Sequence, residues 1–165
     1  MAADYEEDEE DGELEAGEPF QGLPVAPDRG RIIIVNFEFG GGAVGQEMRK
    51  PGRPCLVVQN NAMRRGRLVT VVPLSGKEPL KAEPFHHRMD HRSFLVMPLS
   101  YGGQAKPRWA KCDYIATVSL DRCKNPYGHD TCQRRKYVTV KAIKADVEAV
   151  EKCMLWALGI KVPQP

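Results

Sequence analysis

The chain has 165 residues, of which 42% are hydrophobic and 28% charged, and this suits one globular domain with a buried core. No apolar run is long enough to cross a bilayer, so a membrane-spanning protein is excluded. The acidic N-terminus argues against a secretory signal, and five scattered cysteines favour reduced thiols over a disulfide framework, so we expect a cytoplasmic protein.

The net charge of +2 hides two segments of opposite sign. Residues 1–20 contain ten Asp and Glu and no Lys or Arg, so residues 21–165 hold all 24 basic groups and the other 12 of 22 acidic groups. We predict that residues 1–29 form a disordered acidic tail and a Pro-rich connector. The basic body, with a charge of +12, favours a polyanionic partner such as nucleic acid, although such a surface can also serve solubility alone.

The first half of the body, which we expect to begin at residue 30, predicts three short strands. β-branched runs place these strands at residues 31–37, 53–59 and 67–73. Five glycines and a proline predict a long, mobile loop over residues 38–52, and residues 60–66 predict a turn. Short strands this close together are typical of an antiparallel barrel or sandwich.

The second half predicts two polar excursions, further strands and a terminal helix. The excursions, at about residues 76–108 and 121–135, are interpreted as insertions without strands of their own, apart from the apolar residues 94–98. Alternating patterns predict strands at residues 109–119 and 136–141. A helix is predicted over residues 142–158 and should stop at Gly159, because apolar side chains recur at helical spacing: Ile143, Val147, Val150, Met154, Leu155 and Leu158. The expected fold is therefore mostly β, with five or six strands and a C-terminal helix.

Three segments of the body follow one another in a recognisable order. They are GRIIIVNFEFGGGAVGQE at 30–47, GRPCLVVQNN at 52–61 leading to VTVVPLSG at 69–76, and KCDYIATVSLDR at 111–122. Together with the terminal helix they resemble the MazF/PemK/Kid family of toxin endoribonucleases. The resemblance implies an SH3-like small barrel of the CcdB/MazF type over residues 30–165. It also implies a homodimer, a cognate antitoxin as protein partner, and no cofactor.

The resemblance also implies an activity, which is sequence-selective cleavage of single-stranded RNA without a metal. In that chemistry the ribose 2′-hydroxyl attacks the adjacent phosphorus and leaves a 2′,3′-cyclic phosphate. It needs a base for the hydroxyl, an acid for the leaving oxygen and donors for the charged phosphorane. Only RNA carries this hydroxyl.

By motif position, the resemblance places the family's catalytic arginine at Arg53 and its catalytic threonine at Ser75. The guanidinium of an arginine can donate hydrogen bonds to two oxygens of one phosphate. A serine in place of the threonine retains the hydroxyl group that donates a hydrogen bond. Gln46 and Glu47, in the glycine-rich loop, match a polar residue and a glutamate that support catalysis or bind RNA.

Two further positions of the family pattern fall on the third segment. Asp113 matches its acidic residue, while Lys111 replaces an arginine and so keeps the charge without the planar fork. Ala116 stands where many members have another arginine.

Simpler interpretations of these residues stay open. Arg53 could be a solvated strand end, Ser75 a turn residue, and Lys111 with Asp113 an ion pair on one face of a strand. Zinc could bind Cys123, His129 and Cys132 with Cys112, or a metal could bind around His87 and His91 with Asp90, although neither spacing is typical. We favour the interpretation that basic residues of the two excursions widen the RNA contact: Arg88, Arg92, Arg134 and Arg135.

Two alternative functions belong to other classes. One is a CcdB-like toxin or binding module that acts through protein contact, and the other is a degenerate family member that binds RNA without cutting it.

Overall fold

A computed structural model describes residues 22–37, 52–63 and 66–161. Within these residues the chain forms ten strands and one α-helix, so the expectation of a mostly β fold with a C-terminal helix is confirmed. The strands are β1 (Arg31–Val35), β2 (Arg53–Val57), β3 (Leu68–Ser75), β4 (His86–Arg88), β5 (Trp109–Lys111), β6 (Ala116–Ser119), β7 (Cys123–Lys124), β8 (Tyr127–His129), β9 (Arg135–Tyr137) and β10 (Val140–Lys141). The helix α1 spans Lys144–Ala157.

The main sheet has the order β10-β1-β2-β3-β5-β4, and every strand pair in it is antiparallel. Two further strands extend it, because β6 pairs with β3 and β7 pairs with β1. The separate β8–β9 hairpin lies between β7 and β10 in the chain.

The predicted strand at 109–119 is two strands, and the prediction of a continuous one was wrong. β5 and β6 pair with the same strand, β3, through Leu74↔Ala110 and Val71↔Ala116. Between these two pairs β3 has only two residues, 72 and 73, whereas the other strand segment has five, 111–115. The extra residues form a turn between β5 and β6. The interruption falls at Pro73, which has no N–H to donate to a ladder.

Both faces of the central strands are buried, which explains why their sequences are apolar without alternation. Ile32, Leu56, Val72 and Leu74 belong to a first core cluster, which is covered by α1 and by the segment containing Phe94 and Met97. The intervening residues belong to a second cluster, closed by β6 and β7: Ile33, Val35, Phe37, Cys55, Val57, Val69, Val71, Val118, Leu120 and Cys123.

The helix begins and ends close to the prediction. Val150 is fully buried, and Val147 and Met154 pack against the first cluster. Gly159 has a φ of 70°, and the N–H of Ile160 donates to the carbonyl of Leu155, so the glycine ends the helix as expected.

The two excursions were predicted without strands of their own, and this was wrong, because the one at 76–108 contains β4 and the one at 121–135 contains β7, β8 and the start of β9. The strand predicted at 136–141 is likewise divided between β9 and β10, so the described residues form more than the expected five or six strands. The excursion at 76–108 also contains short 3-10 turns at His91–Phe94 and Leu99–Tyr101. A three-residue strand is too short to produce a period that sequence patterns can detect.

The carboxylate of Asp146, on α1, holds this excursion in place. Asp146 is 3% exposed and accepts hydrogen bonds from the Ser93 hydroxyl and from the backbone N–H of Asp90. It also contacts Nε2 of His87 at 2.8 Å. The Ser93 hydroxyl in turn accepts from the N–H of Ile143, so one buried carboxylate joins the helix start to the excursion.

The connector lies against the barrel from Gly22 onward. The N–H of Leu23 donates to the carbonyl of Leu120 at 2.9 Å, and Leu23 and Ala26 pack against the second cluster. The domain boundary near residue 30 stays a prediction. The acidic tail and the glycine-rich loop at 38–51 lie outside the described residues.

Candidate active site

Arg53 and Ser75, the two predicted catalytic residues, lie at the same end of the barrel. β2 begins at Arg53 and β3 ends at Ser75, and the paired residues Cys55↔Pro73 fix the register between these strands. The paired ladder ends at Cys55↔Pro73, and Arg53 and Ser75 lie two residues beyond this pair on their strands, so both side chains belong to one face of the sheet.

The positive charge of the Arg53 guanidinium affects the Cys55 thiol, which belongs to the second core cluster. Burial raises the pKa of the Cys55 thiol well above its usual value, and the positive charge of Arg53 partly offsets that effect. Arg53 is itself only partly buried, so its charge lies at the rim between the core and solvent.

Ser75 closes a turn, as its simpler interpretation predicts. Its Oγ accepts the N–H of Lys77 at 3.2 Å and donates to the carbonyl of the same residue at 3.4 Å. The second bond is long, and a phosphate oxygen is a stronger acceptor than a carbonyl. Ser75 is 9% exposed, so its hydroxyl lies at the edge of the buried region.

The same face continues over β5 and β4 as a cationic surface. Ser75 pairs with Trp109, which pairs with Arg88, and the next row contains Lys111 opposite His86. The Arg88 guanidinium carbon lies 5.8 Å from the centroid of the Trp109 ring. We call Arg53, Ser75, Trp109, Arg88 and Lys111 the rim face.

Trp109 was not predicted, and Arg88 was expected only as one of several basic residues that widen the RNA contact. Trp109 lies two residues before the third matching segment, and Arg88 is in β4, which the sequence pattern did not reveal. Only the strand register brings these side chains beside Ser75.

The structure separates the two predicted residues of the third segment. Lys111 ends β5 and has its Nζ 5.9 Å from the centroid of the Tyr114 ring. Asp113 is exposed in the turn after β5, so the interpretation of these two as an ion pair on one strand face was wrong. Ala116 packs against the second cluster, where an arginine side chain would have to turn outward.

The other predicted site residues, Gln46 and Glu47, lie outside the described residues. The segment that contains them joins the end of β1 to the start of β2. Because Val35 pairs with Arg53, this segment leaves and returns to the sheet beside the rim face.

The side chains considered as zinc ligands lie in different parts of the fold. Cys112 and Cys123 are buried in the first and second clusters, whereas Cys132 is exposed. Within residues 22–37, 52–63 and 66–161, no three His, Cys, Asp or Glu side chains come close enough to hold a metal ion.

The group around His87 and His91 is held by protein contacts. His87 contacts Asp146, and hydrogen bonds from Arg92 hold the pKa of the Asp90 carboxyl well below its usual range. Asp90 also caps the 3-10 turn through the N–H of Arg92.

The described part of the chain contains no helix with the length and apolar character needed to cross a membrane.

Solved structures with a similar fold include two mycobacterial endoribonucleases and a mycobacterial toxin. An endoribonuclease in complex with its cognate antitoxin, from a mycobacterial species, is 22% identical with a TM-score of 0.52, and the match covers 83% of this chain and 99% of that one. An endoribonuclease from mycobacteria is 20% identical with a TM-score of 0.52, covering 83% and 95%. The Mycobacterium tuberculosis toxin MazF-mt6 is 14% identical with a TM-score of 0.51, covering 80% and 99%. These likenesses establish the fold.

No curated protein matches the chain. The family model of PemK-like, MazF-like toxins of type II toxin–antitoxin systems matches residues 28–145, which is well over half of the sequence. It spans the rim face and every strand of the barrel, and the chain belongs to this toxin family.

Proposed function

We propose that the protein is a cytoplasmic, metal-independent endoribonuclease that cuts single-stranded RNA at selected sequences. The observation that carries the proposal is that β2 begins at Arg53 and β3 ends at Ser75 at the same end of the barrel, on one face with the basic residues Arg88 and Lys111. The family is one of endoribonuclease toxins, and the structures with similar folds include endoribonucleases.

In the proposed reaction, the phosphorus of the RNA backbone exchanges its bond to the 5′-oxygen for a bond to the neighbouring 2′-oxygen. The 2′-hydroxyl loses its proton, its oxygen forms a bond to the adjacent phosphorus, and the bond from phosphorus to the 5′-oxygen breaks as that oxygen gains a proton. The Arg53 guanidinium stabilises the negative charge that builds on the phosphate oxygens, and the Ser75 hydroxyl donates to one of them. A single strand is required because the attacking oxygen must align with the bond that breaks.

The rest of the rim face would bind the RNA strand on either side of this phosphate. Lys111 and Arg88 supply positive charge, and the Trp109 ring, which is only 8% exposed, packs near the Arg88 guanidinium. Gln46 and Glu47 are proposed to contact the RNA or assist proton transfer, since their segment begins and ends beside Arg53. Asp113 is proposed only as a supporting residue, because it lies in the turn beyond β5.

We also propose a homodimer and a cognate antitoxin as partners. One of the similar structures is a complex of an endoribonuclease with its antitoxin. Trp156, Leu158 and Ile160, at the C-terminal end of the chain, are 54%, 61% and 51% exposed. An apolar surface of this kind supports contact with another protein chain.

The proposal is tested by incubating the pure protein with a long single-stranded RNA in EDTA and analysing the fragment ends. We expect fragments with 2′,3′-cyclic phosphate and 5′-hydroxyl ends. Binding without cleavage would identify a degenerate RNA-binding member, and neither binding nor cleavage would favour a toxin that acts through protein contact. Cleavage that stops in EDTA and returns with zinc or magnesium would overturn the metal-independent mechanism.

A further inference from the structure

Two cysteines from distant parts of the chain meet beneath the C-terminal helix. Cys112 directly follows β5 and is fully buried in the first core cluster, and Cys153, on α1, packs against the same cluster. The N–H of Cys112 donates to the carbonyl of Phe85 at 3.0 Å, and the Phe85 ring stacks on Trp156 with its centroid 5.9 Å away. Because Trp156 comes three residues after Cys153, both lie on one side of the helix. The helix therefore holds Cys153 over the residue that ends the β5 segment.

The thiols of Cys112 and Cys153 hydrogen bond to each other. Burial raises the pKa of both, and their hydrogen bond raises the pKa of Cys112 while it lowers that of Cys153. A hydrogen bond of this kind favours the charged form of the acceptor, so the thiol of Cys112 donates to the sulfur of Cys153. The carbonyl of Ala110, 3.8 Å from Sγ of Cys112, is the other acceptor for this thiol. The hydrogen bond thus favours a thiolate at Cys153 over one at Cys112.

The other cysteines lack this combination of thiol contact and access. All five lie within the described residues. Cys55 and Cys123 belong to the second cluster, where both are fully buried and their thiols donate to backbone carbonyls. Cys132 is exposed in the turn of the β8–β9 hairpin. Cys153 is partly exposed and touches a second thiol, so a small reagent can reach one member of this pair.

We propose that Cys112 and Cys153 form a site of reversible oxidation, at which a small disulfide compound converts the two thiols into one intramolecular disulfide. The Cys153 thiolate attacks one sulfur of the compound, so its S–S bond breaks, a mixed disulfide forms and one small thiol leaves. The sulfur of Cys112 then loses its proton and attacks the sulfur of Cys153, and the second small thiol leaves. The two cysteines together lose two electrons and two protons, which the two released thiols carry.

This disulfide fastens the helix to the sheet. It closes a loop over residues 113–152, which contains β6 to β10 and the first half of α1. In the reduced protein noncovalent contacts alone hold the second half of α1, whereas in the oxidised protein a covalent bond prevents it from lifting away. Neighbouring residues of a strand point to opposite faces, so Cys112 lies on the face opposite Lys111 and the rim face stays open. The oxidation site is independent of the proposed RNA cleavage.

The test uses the full chain with the substitution Cys132→Ser, which removes the exposed thiol and with it disulfides between molecules. The probe is hydroxyethyl disulfide, a small uncharged disulfide compound. The intact mass should fall by two hydrogen atoms, and digestion should yield one pair of peptides joined through Cys112 and Cys153. The Tm of the oxidised protein should rise by about 10 °C, because the bond restricts the unfolded chain, and reduction should reverse the rise.

Two variants in the same background identify the thiols. Cys153→Ser, at a partly exposed position, should fold and give neither the joined peptides nor the rise in Tm. Cys112→Ala should stop at the mixed disulfide on Cys153, which identifies Cys153 as the thiol that reacts first. Joined peptides missing from the parent, whether Cys153 stays reduced or stops at the mixed disulfide, would overturn the site. An equal rise in Tm for Cys153→Ser, or an unchanged Tm for the joined parent, would overturn the fastening of the helix.

Discussion

Arg53 is the residue on which the proposed catalysis depends most. Its backbone is held in β2, while its partly buried side chain lies on the rim face, at the same end of the barrel as Ser75. Arg53→Ala should leave the fold intact and reduce the RNA cleavage rate by roughly 10²–10³-fold, the usual effect of removing one transition-state donor. Arg53→Lys should recover only part of the rate, because an ammonium group cannot span two phosphate oxygens.

Cleavage of a fluorescent RNA measures this change, with circular dichroism and RNA binding recorded on the same protein. Binding should fall much less than turnover, since Lys111 and Arg88 still hold the strand. A folded Arg53→Ala protein that cuts at the parent rate would contradict the role given to Arg53.

Asp146 should be important for stability and not for chemistry. Replacing it with alanine leaves the Ser93 hydroxyl, the Asp90 N–H and the His87 ring without their buried acceptor. We expect Asp146→Ala to lower the free energy of unfolding by about 3 kcal/mol. Urea unfolding measures the loss, and Asp113→Ala, at an exposed carboxylate, is the control and should change it by less than about 0.5 kcal/mol.

At the scale of residues, the sequence predicts side chains that lie inside continuous motifs. Arg53 and Ser75 were found because each adjoins a strand with a recognisable pattern. Trp109 was not found, and Arg88 was expected only as a basic residue of the excursion, since their positions beside Ser75 depend on how β3, β5 and β4 pair over long separations. The Asp146 contacts were also invisible, because they join residues more than fifty positions apart.

At the scale of elements, the strands bury three cysteine thiols in the two core clusters. Burial raises the pKa of Cys123 to about 12 and raises those of Cys55 and Cys112 well above their usual value. In the unfolded chain the thiol of cysteine has a pKa of about 8.5. Above that pH the thiols of the unfolded chain lose their protons while the buried thiols of the folded chain keep theirs. The free energy of unfolding is therefore highest below this pH and falls as the pH rises above it.

Urea midpoints at pH 8 and pH 10 measure this loss of stability. Cys123→Ala should reduce the difference between the two midpoints, whereas Cys132→Ala, at the exposed thiol in the β8–β9 turn, should leave it unchanged. An identical difference in the Cys123→Ala protein would contradict the assignment to buried thiols.

The sequence predicts the longer elements well and the shorter ones poorly. β1, β2, β3 and α1 were located because runs of five to fourteen residues carry a clear apolar pattern. β4 was missed, and the division between β5 and β6 was not visible. β4 is fixed by its pairing with β5, and the division between β5 and β6 by their pairing with the two ends of β3, and local propensity encodes neither.

At the scale of the whole molecule, the acidic tail and the basic body should attract each other. Ten carboxylates joined to a body of charge +12 are at high effective concentration and compete with RNA for the cationic surfaces. Deleting residues 1–20 should therefore raise the affinity for RNA at low salt, and the difference should disappear at high salt.

Anisotropy titrations of a 2′-O-methyl RNA at low and high salt measure this effect. The matched control replaces residues 1–20 with an uncharged Gly/Ser segment of equal length, which should behave like the deletion. Equal affinities of the full and shortened chains at low salt would show that the tail does not compete.

The eight residues of β3 have a consequence for how the domain opens. Along one edge they pair with β2, and along the other they pair with both β6 and β5. No partner strand can separate alone and leave all of β3 exposed, so the amide protons of Val69, Val71 and Val72 should exchange with solvent only when the whole domain unfolds. Native-state hydrogen exchange should place these amides in the slowest class, while those of the β8–β9 hairpin exchange through local opening. The toxin would then open at its edges and keep the strand that ends in Ser75 to the last.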